Sequence, residues 1–595
     1  QKHDVRVRTI LRNPEGVIVG TVQSGMPEHT HQTCTEVKLP AFTLENPQLW
    51  SCEFPQLYNA EVVVTADGMV VDSLTEQFGI RSLEFSPEFG FKLNGKKIFL
   101  QGNANHHDLG ALGATCYDKA IERMMLQLKS FGYNCIRCSH NPYSDSFARI
   151  ADRVGILVVD ELTDKWSDND YWGGRQPFTH IWHKLITEWI KRDRNRPSII
   201  LWSLGNELQI REGWAGFEGT NDWGITTYNI FNQLVKRWDH TRLTTVAMFP
   251  ARAGAITRHD KEFNDYLVPP ELACATEVAS FNYQSDKYDA YLKYRPDLIL
   301  FQSEAETSNL LQPYYNMDKE RMVGIAYWGS VEYWGESNKW PKKGWNYSFF
   351  EHTMRPYPQA YLIKTAFMPE IPEVHIGVVD AAGAESVSWN DVIVGRMALN
   401  ECWNHTPGSR RSLFTFTNAH SVELLVNGQS MGIQKNDTTR ANLRNMIYWK
   451  DVPYGNGGSV VAIARDKSGK EVARHRIETA GKAVALRIEA ETPTDWKADG
   501  MDLQYINVTV IDKKGRPVWD YNEPLTLQME GAARLVALDN GDHYTDELFH
   551  GITSKRMYQG RMQIILRSDQ EAGNVTVKIS SAGLKGTLRL KTIKE

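Results

Sequence analysis

The chain changes its hydrophobic rhythm twice. Residues 1 to about 85 alternate apolar and polar positions, as in Glu61-Val-Val-Val-Thr65, with turn residues between the runs. A period of two predicts strands buried on one face, and the length suits a small immunoglobulin-like β-sandwich. The run Phe89-Gly-Phe-Lys-Leu-Asn-Gly-Lys-Lys-Ile-Phe-Leu-Gln-Gly102 follows and holds an Asn-Gly hairpin signal. From about 95 to 368, short apolar strands alternate with helical segments, the pattern of βα units. The strands expected are Ile98–Gln101, Cys135–Cys138, Leu157–Asp160, Ile199–Trp202, Thr244–Met248, Ala279–Phe281, Leu298–Phe301 and Gly324–Tyr327. Between them, Ala120–Ser130 places Ile121, Met124, Met125 and Leu128 on one helical face, and Asp145–Val154 and His180–Arg192 are similar. Eight such units over about 270 residues fit one eight-stranded parallel barrel.

After about 370 the text is β-rich again. Phe414-Thr-Phe-Thr and Val422-Glu-Leu-Leu-Val-Asn-Gly-Gln read as strands with a second Asn-Gly turn, and Glu478–Lys482 is a charged linker. Ala485-Leu-Arg-Ile-Glu-Ala and Asn507-Val-Thr-Val-Ile-Asp continue in that style. The expected fold is a central (β/α)8 barrel over 86–370, preceded by a sandwich over 1–85 and followed by immunoglobulin-like sandwiches over 371–482 and 483–595. One larger all-β domain after 370 is the alternative. A chain of 595 residues is too long for one core, which agrees with several domains.

Composition narrows the partners. Net charge is −5 and no basic stripe is visible, which argues against nucleic acid. No apolar run approaches the roughly 20 residues of a membrane helix. The seven cysteines are scattered, odd in number and without paired metal spacing, so buried free thiols are expected and a disulfide framework is not. The 18 Trp and 24 Tyr supply flat faces with a polar edge, which suit sugar rings, although most are expected in the core. The first residues, Gln1-Lys-His-Asp-Val-Arg-Val-Arg, already read as strand, so the chain is expected to begin inside a larger protein and carries no visible signal segment.

Candidate chemistry gathers where the expected barrel strands end, the place where parallel α/β barrels keep their reacting groups. The first strand ends in Gly102-Asn-Ala-Asn-His106-His107-Asp108, the second in Arg137-Cys-Ser-His140-Asn-Pro and the third in Asp160-Glu161. The fourth ends in Asn206-Glu207, the sixth in Asn282-Tyr283, the seventh in Ser303-Glu304-Ala-Glu306 and the eighth in Trp328. His106, His107 and Asp108 could ligate a metal, but neighbours on an extended segment point apart, so contacts to sugar hydroxyls are the expectation for this stretch. Glycoside hydrolysis needs two carboxyl groups flanking the scissile bond. Glu207 and Glu304, after the fourth and seventh strands on opposite sides of the expected barrel mouth, are the candidate pair, an arrangement that permits the roughly 5 Å separation expected of a retaining reaction. Glu306, two residues on, is the competing choice for the second carboxylate. Arg137 is the natural cation to keep the nucleophile ionised.

Two long runs carry a resemblance. Asn134-Cys-Ile-Arg-Cys-Ser-His-Asn-Pro142 and Asp193-Arg-Asn-Arg-Pro-Ser-Ile-Ile-Leu-Trp-Ser-Leu-Gly-Asn-Glu207 are similar to the signatures of glycoside hydrolase family 2. The resemblance implies Glu207 as general acid/base and Glu304 as nucleophile. It also implies Asn206 on the 2-hydroxyl of the sugar, and His106, His140, Tyr283 and Trp328 as further substrate contacts. The eighth-strand run Ala326-Tyr-Trp-Gly-Ser-Val-Glu-Tyr-Trp-Gly-Glu-Ser337 resembles that of Bacteroides-type β-galactosidases, with Glu332 where those usually have Asp and Trp334 where they have a smaller residue. The expected activity is therefore a retaining exo-β-galactosidase. The runner-up is a β-glucuronidase or a hydrolase of another acidic or sulfated sugar. For that reading Asn338-Lys339 and Lys342-Lys343 have the wrong spacing for the glucuronidase Asn-x-Lys motif, and a solvated lysine patch is the plainer reading. A non-catalytic carbohydrate-binding protein is the third.

The Glu–His pair of the magnesium site in some relatives is missing from Glu161-Leu-Thr-Asp-Lys-Trp166, so no metal or cofactor is expected. The N-terminal jelly-roll domain usual in the family is outside this sequence. The expected partner is a β-linked oligosaccharide, with homo-oligomerisation left open. The expected location is the periplasm or exterior of a bacterium.

Overall fold

In a computed structural model, the structure describes residues 3–25, 37–166, 178–208, 224–249, 269–307, 311–337, 340–380, 385–389 and 392–594. Cys34, Asn338 and Lys339 lie outside the described residues.

Eight strands close into a barrel in chain order: Leu100–Asn105, Cys135–Cys138, Leu157–Glu161, Ile199–Asn206, Leu243–Met248, Val278–Asn282, Leu300–Ala305 and Gly324–Trp328. All eight expected strands are present. Three run well past their expected ends, because Asn103, Asn105, Ser203, Asn206, Ser303 and Glu304 are polar yet buried within the strands. An apolar-run criterion stops where the wall turns polar, although the backbone ladder continues. The first strand also starts two residues late. Lys96–Lys97 pairs instead with Gly90–Leu93 in a hairpin around Asn94 and Gly95, both at positive φ. The seam between the eighth and first strands is close: a Cβ on Gly324 would stand 2.3 Å from Leu100 Cβ, so only glycine fits.

The helices Asp118–Ser130, Asp145–Val154 and Phe178–Asp193 agree with the expected spacing. Asp145–Val154 is capped at its start by the Ser144 side chain, which accepts from Phe147 N, and stopped by Gly155 in the left-handed region.

By packing, the chain forms two compact units. One comprises Gln1–Leu100, Asn134–Gln302 and Lys319–Gly324. In it, Val5–Arg12, Ile18–Gly25, Tyr58–Ala66 and Met69–Phe78 make an antiparallel four-stranded sheet. Below the fourth barrel strand a buried ionic cluster sets the backbone. Asp152 accepts from Ser198 N at 3.0 Å and stands 3.4 Å from the Arg196 guanidinium. Arg242 donates to the carbonyls of Ile199 and Arg196, at 2.7 and 2.8 Å, and pairs with Asp239 at 2.6 Å. Trp202, wholly buried, donates its Nε1–H to Asp239 at 2.9 Å.

The other unit comprises Gln101–Tyr133, Ser303–Asp318 and Ile325–Glu595. It contains two sandwiches of paired four-stranded antiparallel sheets. The first is cored by residues such as Ile376, Trp403, Leu413, Leu424 and Val460, the second by Trp496, Ile506, Val510, Leu525, Ile564 and Val577. A smaller cluster joins Ala111, Leu112 and Ala120 to Leu503, Tyr505 and Ile565 of the second sandwich. Arg123 adds an ion pair to Glu491 at 2.7 Å and lies 4.3 Å over the Tyr505 ring. Cys52, Cys135 and Cys138 are buried as expected, whereas Cys116 is exposed and Cys274 and Cys402 are half-buried.

Asp239 tests the cluster under the fourth strand. Burial alone would raise its pKa, but Arg242 and Thr241 pull it down to about 2. Against about 3.9 in the unfolded chain, its contribution is fully present above about pH 4 and fades as pH falls through 2. Asp239→Asn leaves Arg242 buried without its counter-charge and is expected to cost roughly 3 kcal/mol, read from the urea midpoint at pH 7. An unchanged midpoint would show that the cluster does not carry the strand.

Candidate active site

The first unit holds a buried network built from four strand ends. Arg137, on the second strand, has no exposed surface and donates from Nε and Nη2 to Glu161 Oε2 at 3.1 and 2.7 Å. Its Nη2 also donates to Asn206 Oδ1 at 2.9 Å. The two carboxylates at the end of the third strand separate by alternation. Asp160 turns to the helix layer and accepts from Trp189 Nε1 at 2.6 Å, while Glu161 turns to Arg137 and to Ser203 Oγ at 2.7 Å. Burial would push the Glu161 carboxyl up, yet Arg137, His140 and Ser203 together hold it below the usual range.

His140 is fixed by the same carboxylate. Its Nδ1 lies 2.6 Å from Glu161 Oε1, and its Nε2 lies 3.3 Å from Asn206 Nδ2. The arrangement satisfies both nitrogens with a proton on Nδ1 donated to Glu161 and Nε2 accepting from the amide. Asn206 Nδ2 also donates to Asp164 Oδ1 at 3.1 Å, and Asn206 Oδ1 accepts from Asn282 Nδ2 at 2.9 Å. Lys165 closes the ring, donating to Asp164 at 2.7 Å and to the Asn206 carbonyl at 3.1 Å.

Glu207 follows directly on this held asparagine. It is buried, its N–H donates to the Ala247 carbonyl at 2.6 Å, and its Oε1 accepts from Asn282 Nδ2 at 3.2 Å. Its φ is +49°, and Tyr283, after the sixth strand, has φ +58°. Left-handed backbone at residues other than glycine costs on the order of 1 kcal/mol or more, and persists where neighbours over-determine it. The Asn206 and Glu207 backbone bonds to Asp164 and Ala247 supply that constraint. The ladder between the fourth and fifth strands shifts register between Ser203 and Asn206, where the chain turns to present the carboxylate.

The second unit holds Glu304 and an aromatic wall. Glu304 is buried within the seventh strand, whereas Glu306 lies beyond its end and is half-buried. His106 meets Trp328 edge-on at 5.1 Å and Tyr333 at 5.0 Å. Tyr333 stacks on Trp345 at 6.1 Å, and Trp345 meets Tyr347 edge-on at 5.0 Å. The Tyr333 hydroxyl donates to Glu336, and its pKa is raised far above normal by burial and by the charges of Glu336 and Glu304. Lys342 is buried, with Nζ 4.1 Å over the Tyr347 ring, so it is no part of a solvated lysine patch. The candidate metal trio of the first strand is dispersed. His106 joins the aromatic wall, while Asp108 accepts from the backbone N–H groups of Gly110 and Trp334, at 2.8 and 3.2 Å.

All eight candidate residues are thus buried or half-buried at strand ends. Arg137, His140, Asn206 and Glu207 are joined through shared hydrogen bonds, and His106 and Trp328 through ring contact. Arg137, expected beside the nucleophile, has described guanidinium contacts to Glu161, Asn206 and His140. Glu161, which the sequence reading leaves without a role, bonds Arg137, His140 and Ser203, and its place at a strand end next to Asp160 is the signal available in the sequence.

Comparison with known proteins gives the same picture. Residues 1–81 match the description "Glycosyl hydrolases family 2", 88–319 its TIM barrel domain and 486–588 its C-terminal domain 5, while 408–473 match a domain of unknown function. The chain is 27% identical to a β-galactosidase of Bacteroides ovatus over 98% of its own length and 71% of that protein. It is 41% identical to a putative β-glucuronidase of Formosa agariphila, over 95% of its own length and 55% of that protein. The crystal structure of a family 2 member from Bacteroides cellulosilyticus superposes with a TM-score of 0.84 at 29% identity, covering 99% of this chain and 74% of that one.

Glu161→Gln removes the charge opposite Arg137. Because the folded carboxyl sits below its unfolded pKa, its contribution is present at neutral pH and lost on acidification below about pH 4. The variant is expected to lose roughly 3 kcal/mol at pH 7 by urea unfolding, with a gap to the parent that narrows toward pH 3. A pH-independent gap would contradict the ion-pair account.

Proposed function

We propose, from the premise that the chain belongs to glycoside hydrolase family 2, that it removes a terminal β-linked acidic sugar with retention, a β-glucuronide before a β-galactoside. In this reading Glu304 attacks the anomeric carbon and the glycosidic bond breaks with formation of a glycosyl ester. Glu207 protonates the departing oxygen, then takes a proton from the water that opens the ester. Asn206 addresses the 2-hydroxyl, with His140 and Tyr283 beside it, and His106 and Trp328 face the ring. Arg137 acts at one remove: by holding Asn206 it sets the backbone from which Glu207 projects.

The observation that carries the acidic substrate is Lys342. It is buried and stands on Tyr347, next along the aromatic wall from Trp345 and Tyr333, so a cation lies beside the wall proposed to face the sugar. The higher identity to the putative β-glucuronidase supports the same choice. The second reading, a β-galactosidase, is favoured by the eighth-strand run and by the relative from Bacteroides ovatus.

A panel of p-nitrophenyl β-glycosides separates the two. The highest kcat/KM is expected on the glucuronide, and Lys342→Met should lower it there by about 10- to 100-fold while galactoside hydrolysis changes little. Preference for the galactoside, unaltered by Lys342→Met, would pass the assignment to the second reading. Glu207→Gln and Glu304→Gln should each lower kcat on the better substrate by on the order of a thousandfold or more; a variant that keeps turnover removes that residue from the mechanism.

A further inference from the structure

Three ligand-type side chains in the second unit meet at one buried point. Glu332, in the segment after the eighth strand, His352, and His543 of the second sandwich are each at most 4% exposed. Glu332 Oε2 lies 3.1 Å from His352 Nδ1 and 3.1 Å from His543 Nε2, and one atom from each of the three falls within 4.8 Å of the others. Four donors around a tetrahedral ion at about 2.0–2.1 Å stand roughly 3.3 Å from one another. Two of the three edges here already have that length.

The surroundings select among ways of closing the cluster. Among the described residues, the one polar side-chain contact of the His543 ring is Nε2 to Glu332 at 3.1 Å, and it falls short of a well-directed hydrogen bond. A buried imidazole so poorly partnered is costly. The far nitrogen of His352, Nε2, is 2.9 Å from Asp539 Oδ1, and Asp539 is itself held by Gly541 N at 3.0 Å. A carboxylate behind a histidine fixes its tautomer and turns the other nitrogen to a metal. The second oxygen of Glu332 accepts from the Tyr357 hydroxyl at 2.6 Å, which orients the carboxylate. A divalent ion would balance the charges of Glu332 and Asp539. Trp334 covers the cluster, 4.6 Å from His352 and 4.9 Å from His543 by ring centroids. Glu332 and Trp334 are also the two positions at which the eighth-strand run departs from the pattern it resembles.

We propose that Glu332 Oε2, His352 Nδ1 and His543 Nε2 bind a divalent transition-metal ion of the zinc class. Two imidazoles and one carboxylate suit such an ion better than magnesium or calcium. The ion takes the place of a proton on His352 Nδ1 and keeps its fourth position for water. Its work is structural: it ties the segment that carries Tyr333 and Trp334 to the 539–545 loop of the second sandwich.

The test is metal content, read without substrate and so independent of any glycosidase assignment. The intact chain is stripped with chelator, reloaded with zinc, passed through a desalting column and analysed by mass spectrometry for metals. About one zinc per chain is expected to remain. His543→Ala and Glu332→Gln should each lose that equivalent, whereas His475→Ala, in the separate His375–Glu401–His475 group, should keep it. Should the two variants fail to fold, anomalous diffraction at the zinc edge from crystals of the unaltered chain decides. A peak about 2.1 Å from all three atoms is expected. No retained zinc, zinc retained by His543→Ala, or a peak elsewhere overturns the proposal.

Discussion

The candidate site rests on one ion pair, Arg137 with Glu161, buried without exposed surface on either side chain. A buried pair of this kind adds little net stability over an apolar filling, but breaking it strands a charge. Its value is geometric. Arg137 spends one nitrogen on Asn206, Glu161 spends one oxygen on His140, and Asn206 reaches Asp164 and Asn282. The polar contents of four strand ends are thereby locked to each other before any ligand arrives. Preorganisation of this kind is what a displacement at an anomeric carbon needs, since a small misplacement of the acid costs much of the rate.

The cost of that arrangement is visible in the backbone. Glu207 and Tyr283 leave their strands in the left-handed region, where a residue other than glycine is disfavoured. The ionic cluster of Asp152, Arg196, Asp239 and Arg242 lies under the same fourth strand and grips its carbonyls. The long signature ending at Glu207 therefore has two physical parts: a first half that anchors the strand from below, and a last pair, Asn206-Glu207, to which the proposed chemistry is assigned. In the second unit the aromatic wall of Trp328, Tyr333 and Trp345 has its own anchorage, through Trp334 and Glu332, in the second of the two sandwiches after the barrel.

Much of this was legible in the residues. The alternation of apolar runs with helical spacing located every barrel strand, because βα units leave a local signal in each segment. Strand ends such as Asn206-Glu207 stood out as polar text after an apolar run. What was not legible was pairing across the chain. Nothing near Glu161 announces that it faces Arg137 while Asp160 faces Trp189, since alternation fixes that two neighbours part without saying which partner each finds. Lys342 read as a solvent-facing lysine because its neighbours are charged, yet it is buried on Tyr347. His352 and His543 lie nearly two hundred positions apart in the sequence, so only the packing of the second sandwich brings both to Glu332.

The central claim is that Glu304 forms a covalent bond to the sugar while Glu207, held through Asn206 and Arg137, serves the leaving group. Trapping with a 2-deoxy-2-fluoro-β-glycosyl fluoride of the preferred sugar tests it most directly, because the 2-fluorine slows both steps while the fluoride leaving group speeds only formation of the ester. Peptide mass spectrometry of the inactivated chain should find one sugar on Glu304. A label on Glu306 or Glu207, or time-dependent inactivation with no covalent sugar, would contradict the account.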